Sequence, residues 1–193
     1  MVFIALCIAI LIWYLNAKDK RVNRIKQRLQ RGDTILDVGC GTCCLGQALG
    51  SAFNVTGLDV VNKAKCMVPV LYDGHVIPFP DNSFDVVIAS FVLHHVPQQL
   101  SLLCELKRVC RRSLIIVEDT PENEHDWTFV KQHAKSSWGS CDACFHTKKT
   151  WENIFHMHEL KVHTSLGVSR WEIPFSDQPL IYPVPVTFFE LLV

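Results

Sequence analysis

The stretch ILDVGCGT at residues 35–42 restricts what this chain can fold into more than any other, because a buried apolar strand there opens directly into a glycine turn. Without a Cβ at Gly39 and Gly41, the main chain turns sharply and a ligand can come close to its amides and carbonyls. Asp59 ends the next apolar run, twenty residues beyond Gly39, where a carboxylate can accept hydrogen bonds from both hydroxyls of a ribose. A lone Gly-x-Gly says little, but with that acid inside a β-α-β pattern it predicts a nucleotide-like cofactor. A dinucleotide-binding Gly-x-Gly-x-x-Gly would carry its third glycine at position 44. Cys44 stands there instead, which argues against a pyrophosphate seated on the following helix.

The rest of the chain alternates strands and helices. Strands are expected at 34–38, 53–59, 68–72, 84–90, 113–117, 160–164 and 186–192, each short and rich in β-branched or aromatic residues. Helices are expected at 45–52, 98–109, 127–135 and 149–156; in the second, Leu100, Leu103, Leu106 and Val109 recur at every third position. This alternation predicts an α/β, doubly wound, Rossmann-like fold with a mostly parallel seven-stranded sheet. Such sheets bind ligands at the carboxyl ends of their strands where the winding reverses, so Asp37, Asp59, Tyr72 to Gly74 and Ser90 to His95 should converge. A length of 193 residues with 49% hydrophobic residues suits one such domain with an N-terminal appendage. Gly167 to Pro185 holds four prolines and no clear period; it is expected to be a long loop near the substrate side.

The appendage is apolar from Met1 to Leu15, with Trp13 and Tyr14 suited to a membrane interface. A helix needs roughly 20 residues to cross an average hydrocarbon core and about 17 at the lower limit, which residues 1–17 reach. All nearby charge follows the apolar stretch and no small-x-small cleavage site appears, so a retained hydrophobic anchor helix is preferred over a signal peptide or a buried helix. Lys18, Lys20, Arg21, Arg24, Lys26, Arg28 and Arg31 face only Asp19, giving +6 over residues 1–31 and −6 over the remainder of a chain with no net charge. Basic residues on that flank keep the following domain on the cytosolic side. Within residues 18–31, Val22, Ile25 and Leu29 form a narrow helical stripe beside a basic face. That basic juxtamembrane helix either lies against anionic headgroups or packs its stripe on the domain 32–193.

Nine cysteines in a chain with this much core-forming sequence are read as reduced thiols. Cys141, Cys144 and His146, with His133 upstream, have zinc-like chemistry, yet no second pair completes the set and an incidental loop is the preferred reading. Cys40, Cys43 and Cys44 are read as small filler in the glycine turn, and no metal site is assigned.

Three blocks of sequence resemble the class I S-adenosylmethionine-dependent methyltransferase family, in its small-molecule and quinone-biosynthesis branch. LDVGCGT at 36–42 is similar to the family's first motif, GLDV at 57–60 to its acidic second strand end, and DGHVIPFPDNSFDVVIASFVLHHV at 73–96 to its Asp-x-x-x-Leu-Pro-Phe block. The resemblance covers residues 30–193 and implies S-adenosyl-L-methionine as cofactor. It implies that Gly39 and Gly41 border the methionine portion, Asp59 holds the ribose, Asp73 and Gly74 face the adenine, and Ser90 and Phe91 line the cofactor at the fourth strand end; Asp37 and Val60 complete the expected cofactor-binding set. The family commonly has a glycine where this chain has Cys43, and a Pro-Gly-Gly turn where it has Arg111, Arg112 and Ser113. A thiol at 43 would crowd the methionine carboxylate or merely fill space.

Methyl transfer asks little of side chains beyond alignment, and a base helps only where the acceptor loses a proton. His94 and His95 are the candidate catalytic residues, with Glu118 and Asp119 as further candidate bases or caps of the next helix. The expected function is methyl transfer to a small, apolar or membrane-associated acceptor, from a membrane-associated position facing the cytosol. Alternatives are a protein methyltransferase and a catalytically silent scaffold of the same fold. The slightly acidic domain offers no phosphate-tracking patch, so no nucleic-acid partner is expected.

Overall fold

A computed structural model of the chain describes residues 21–134, 144–168 and 184–193. Seven strands lie within them: β1 (Thr34–Val38), β2 (Asn54–Asp59), β3 (Val70–Leu71), β4 (Phe84–Ser90), β5 (Cys110–Asp119), β6 (Lys161–Val168) and β7 (Val186–Leu192). They form one sheet of order β3-β2-β1-β4-β5-β7-β6. Strands β1 to β5 pair in parallel, whereas β7 is antiparallel to both β5 and β6. The expected mostly parallel α/β sheet is what forms, and its winding reverses between β1 and β4.

Residues 21–26 form α1; α2 (Cys44–Leu49), α3 (Gln99–Val109), α4 (Glu124–Ala134) and α5 (Lys148–Met157) follow. Alternate strand residues feed two cores. Val87, Ala89, Leu114, Ile116, Phe189 and Leu191 meet Leu102, Leu103 and Leu106 of α3 and Trp151 and Phe155 of α5. Val86, Ile88, Ile115, Val117 and Phe188 on the opposite face meet Val22, Ile25, Leu45 and Leu49. Burial on both faces is why these strands are near-continuous apolar runs in sequence. The stripe carried by Val22 and Ile25 packs on the sheet, with Ile25 fully buried. Residues 1–17, the expected anchor, lie outside the described residues, as do Cys141 and most of the proline-rich stretch; among the described residues no helix is long and apolar enough to cross a membrane.

Several boundaries differ from the sequence reading for local reasons. Strand β3 keeps only Val70 and Leu71 of the expected 68–72, because Pro69 has no N–H to enter the ladder. Helix α2 stops at Leu49 rather than 52, ended by Gly50 at φ 83°. Strand β5 starts at Cys110 with no turn before it: Arg111 and Arg112 lie in the strand and reach Asp85 and Asp33, each at 2.5 Å. Helix α4 starts at Glu124 instead of 127, because Asn123 Oδ1 accepts from the Asp126 N–H at 3.0 Å while Asp126 Oδ2 accepts from the Asn123 N–H at 3.3 Å, a reciprocal cap. Gly167 and Val168, placed in the loop by sequence, end β6.

Candidate active site

The turn after β1 has the conformation its glycines were expected to supply. Gly39 has φ 64° and Gly41 φ 52°, values that favour residues without a Cβ. The Gly39 N–H donates to Leu58 O at 2.8 Å, and the Gly41 N–H donates to Asp59 Oδ2 at 2.8 Å. A Cβ on Gly39 would run into Val92, whereas one on Gly41 would meet nothing within 4 Å. The first glycine therefore allows close packing of the turn against the segment after β4, and the second leaves open space beside the backbone. Asp59 also accepts from the Val61 N–H at 3.2 Å, so each of its oxygens is oriented by one amide and retains a lone pair for a ligand.

Cys43 occupies the position where a glycine was expected, and its φ of 56° explains that preference. Its side chain is fully buried and is directed toward β2, where a Cβ on Gly57 would lie 3.2 Å from Cys43 Sγ and 3.0 Å from Cys40 Sγ. The two thiols are 2.9 Å apart. Burial pushes both upward in pKa, so they remain protonated and act as filler between the turn and β2.

Asp37 points to the same face of the sheet as α1. Burial, partly countered by Arg21, raises its carboxyl to about 7. Arg21 Nε is buried with no hydrogen-bond partner among the described residues, and Ser90 Oγ at the end of β4 is in the same condition. Strand register places Val38 beside Ala89, so the turn at Gly39 adjoins Ser90. Sequence reasoning missed Arg21, which looks like one basic residue among many. Its signal was the four-residue spacing from Ile25, which puts both on one helix face.

Other expected residues are spread around these strand ends. Val60 is 55% exposed. Asp73 is exposed, and its Oδ1 accepts from the His75 and Val76 N–H groups at 2.9 and 3.3 Å, which lowers its pKa and shapes the loop containing Gly74 (φ 85°). Phe91 takes φ 59° and packs on the α1 side of the core.

His94 and His95 follow in a 3-10 turn, Leu93–His95. Glu118 is fully buried: its Oε1 accepts from the Val92 and Leu93 N–H groups at 2.9 and 2.7 Å, and its Oε2 lies 2.5 Å from His94 Nδ1. Burial raises Glu118 to about 7 against the pull of those amides. It anchors the histidine turn and does not cap α4. His95 is held neutral, its pKa lowered to about 4 by burial and the neighbouring His94. The turn is fixed from below by Gln99, whose Nε2 donates to Leu93 O at 2.9 Å and also to Cys144 O. With Nε2 donating, Gln99 Oε1 accepts from His146 Nε2 at 2.8 Å. His146 is therefore occupied as a structural donor rather than a metal ligand.

Residues 36–117 match the family described as Methyltransferase domain. The demethylmenaquinone methyltransferase of Listeria welshimeri is 30% identical over 141 residues, covering 63% of this chain and 60% of that protein. The chain thus spans about three fifths of the length of the curated relatives it matches. Two solved structures share the fold: an Aquifex aeolicus SAM-dependent methyltransferase (19% identity, TM-score 0.62, covering 89% of each chain) and a Methanosarcina mazei SAM-dependent methyltransferase (17%, TM-score 0.67, covering 87% of this chain and 95% of that one). S-adenosyl-L-methionine, the cofactor named for these proteins, fits the groups present, since a buried guanidinium and carboxylate lie beside a glycine turn with open space and an acid at the end of β2. In strand order and in the motif sequence of residues 36–117, the chain is similar to the class I S-adenosylmethionine-dependent methyltransferases.

Proposed function

We propose that this chain transfers a methyl group from S-adenosylmethionine to a small apolar acceptor at the cytosolic face of a membrane. The observation that carries the reading is the set of buried polar groups at the β1/β4 reversal, where Arg21 Nε and Ser90 Oγ have no described partner beside a buried Asp37. A zwitterionic amino-acid moiety satisfies this set: its carboxylate pairs with Arg21 and its ammonium with Asp37. The amides and carbonyls of Gly39 and Gly41 border that moiety, Asp59 takes the ribose hydroxyls with Val60 beside it, and Asp73 and Gly74 receive the adenine. Ser90 and Phe91 close the side nearest β4. When bound, the cofactor supplies an already activated methyl group on its sulfonium, so the protein's task is alignment and exclusion of water. His94, oriented by Glu118, and neutral His95 form the polar wall toward the acceptor.

An apolar acceptor is supported by the name of the Listeria relative and by the apolar residues 1–15. Tethering by residues 1–17 would raise the enzyme's concentration where such acceptors partition. Methyl transfer from labelled cofactor to fractionated lipids, small metabolites and proteins tests the reading, with label expected in an apolar small-molecule fraction. Label in protein alone would make this a protein methyltransferase. No label, with no calorimetric heat on adding the cofactor, would make it a silent scaffold. Deleting residues 1–17 should release the protein from membranes; unchanged location and activity would refute the anchor.

A further inference from the structure

Three imidazoles converge where β4 and β5 end. His94 and His95 come from the turn after β4, and His133 from the last turn of α4. Ring centroids are 4.1 Å apart for His94 and His95, and 5.6 Å for each of these with His133. One ring nitrogen from each lies within 4.8 Å of the other two. In a tetrahedral site with metal–nitrogen bonds of about 2.05 Å, ligand nitrogens are about 3.4 Å apart. Reaching that spacing needs shifts of under about 1 Å per ring, within side-chain adjustment.

The surroundings suit a metal rather than a charged histidine. Glu118 Oε2 meets His94 Nδ1, and a carboxylate in contact with a histidine ring orients it and strengthens its basicity toward a metal. His95 Nδ1 is buried without a hydrogen-bond partner among the described residues. Phe145 stacks on His94 with centroids 4.6 Å apart, and Val130 with Phe145 forms a small apolar cluster beside His133. Apolar walls exclude water and disfavour imidazolium, while neutral imidazoles are the form that binds metal.

We propose that His94, His95 and His133 together hold one divalent transition-metal ion of the zinc or cobalt type, with a coordination position left open. Three protein ligands with an open position is the pattern of reactive rather than purely structural zinc sites. An imidazole bound to metal takes no proton, so in an occupied site His95 holds the ion and does not act as a base. The inference does not depend on the identity of the methyl acceptor.

The test uses the full chain in detergent, stripped with a chelator and titrated with Co2+ alone. Tetrahedral ligand-field bands should saturate at one ion per chain and disappear on adding Zn2+. His133→Ala should weaken Co2+ binding at least tenfold, and Glu118→Gln by about 10- to 100-fold, with circular dichroism showing that each variant is folded. If His133→Ala does not fold, His133→Asn takes its place. Absence of ligand-field bands in the parent protein would overturn the proposal. So would bands dominated by sulfur-to-cobalt charge transfer, or bands that persist in the His133 variant. No methyl donor is present, so failure here leaves the methyltransferase reading intact.

Discussion

Gly39 and Gly41 share a left-handed backbone but differ in what surrounds them, so alanine at each should fail differently. In Gly39→Ala the new methyl collides with Val92 Cγ2 and lies 3.1 Å from Cγ1. The left-handed conformation costs an L-residue about 1–2 kcal/mol, and overpacking adds about 1–3 kcal/mol. Reduced freedom of the unfolded chain returns about 0.4–1 kcal/mol. The net loss should therefore be about 1–4.6 kcal/mol, centred near 3, read as a lower urea midpoint for the cofactor-free protein at unchanged slope. Gly41→Ala has the backbone term alone, since nothing lies within 4 Å of its added carbon, and should lose about 1 kcal/mol. Its methyl instead enters the open space beside the turn, so calorimetric affinity for S-adenosylmethionine should fall by more than its stability does. Trimming Val92 to alanine in the Gly39→Ala background should recover the steric part, as a favourable coupling of about 1–2 kcal/mol in a double-mutant cycle. Equal destabilisation by the two glycine variants, or a coupling near zero, would refute the assignment of one glycine to packing and the other to ligand space.

Other outcomes follow from the same geometry. Because Asp37 keeps its proton up to about pH 7, affinity for the cationic donor should rise with pH until about 7 and then level, and Asp37→Asn should bind weakly with that dependence removed, as measured by titration calorimetry. Asp37 and Glu118 both hold protons to about pH 7 when folded, above their ordinary values of 3.8 and 4.5. The unfolded chain thus carries fewer protons in between, and their contribution makes stability fall as pH rises through that window; the difference between the urea-stability profiles of the parent and Asp37→Asn isolates the Asp37 share. Arg108 donates to Ile77 O at 2.9 Å, Phe79 O at 2.8 Å, Glu105 at 2.7 Å and Asp81 at 2.9 Å. Removing it should cost about 1–3 kcal/mol by leaving these acceptors unmatched, whereas Asp81→Ala, at a 71% exposed partner, should stay within about 0.5 kcal/mol by urea unfolding.

Most of the sheet was legible because its central strands are buried on both faces and end abruptly in polar residues: β1, β4 and β7 have the limits their apolar runs predict. Legibility failed where a local group changes the ladder without changing hydrophobicity. Pro69 shortens β3, and Arg111 and Arg112 look like a turn yet continue β5 because Asp85 and Asp33 receive their guanidinium groups. At the site, residues on strand ends could be placed because sheet topology alone brings them together. Residues supplied by helices could not, since that requires knowing which helix face meets the sheet. Arg21 and His133 are of this kind, both polar and both drawn inward by neighbours on their own helices, Ile25 and Val130, which are fully buried. A polar residue three or four positions from a core residue shares its inward face, so each of these helices carries an ionisable side chain to the same end of the sheet as Asp37 and Glu118. The chain's distinctive chemistry thus lies in what α1 and α4 bring to a cofactor turn whose own motifs are visible in sequence.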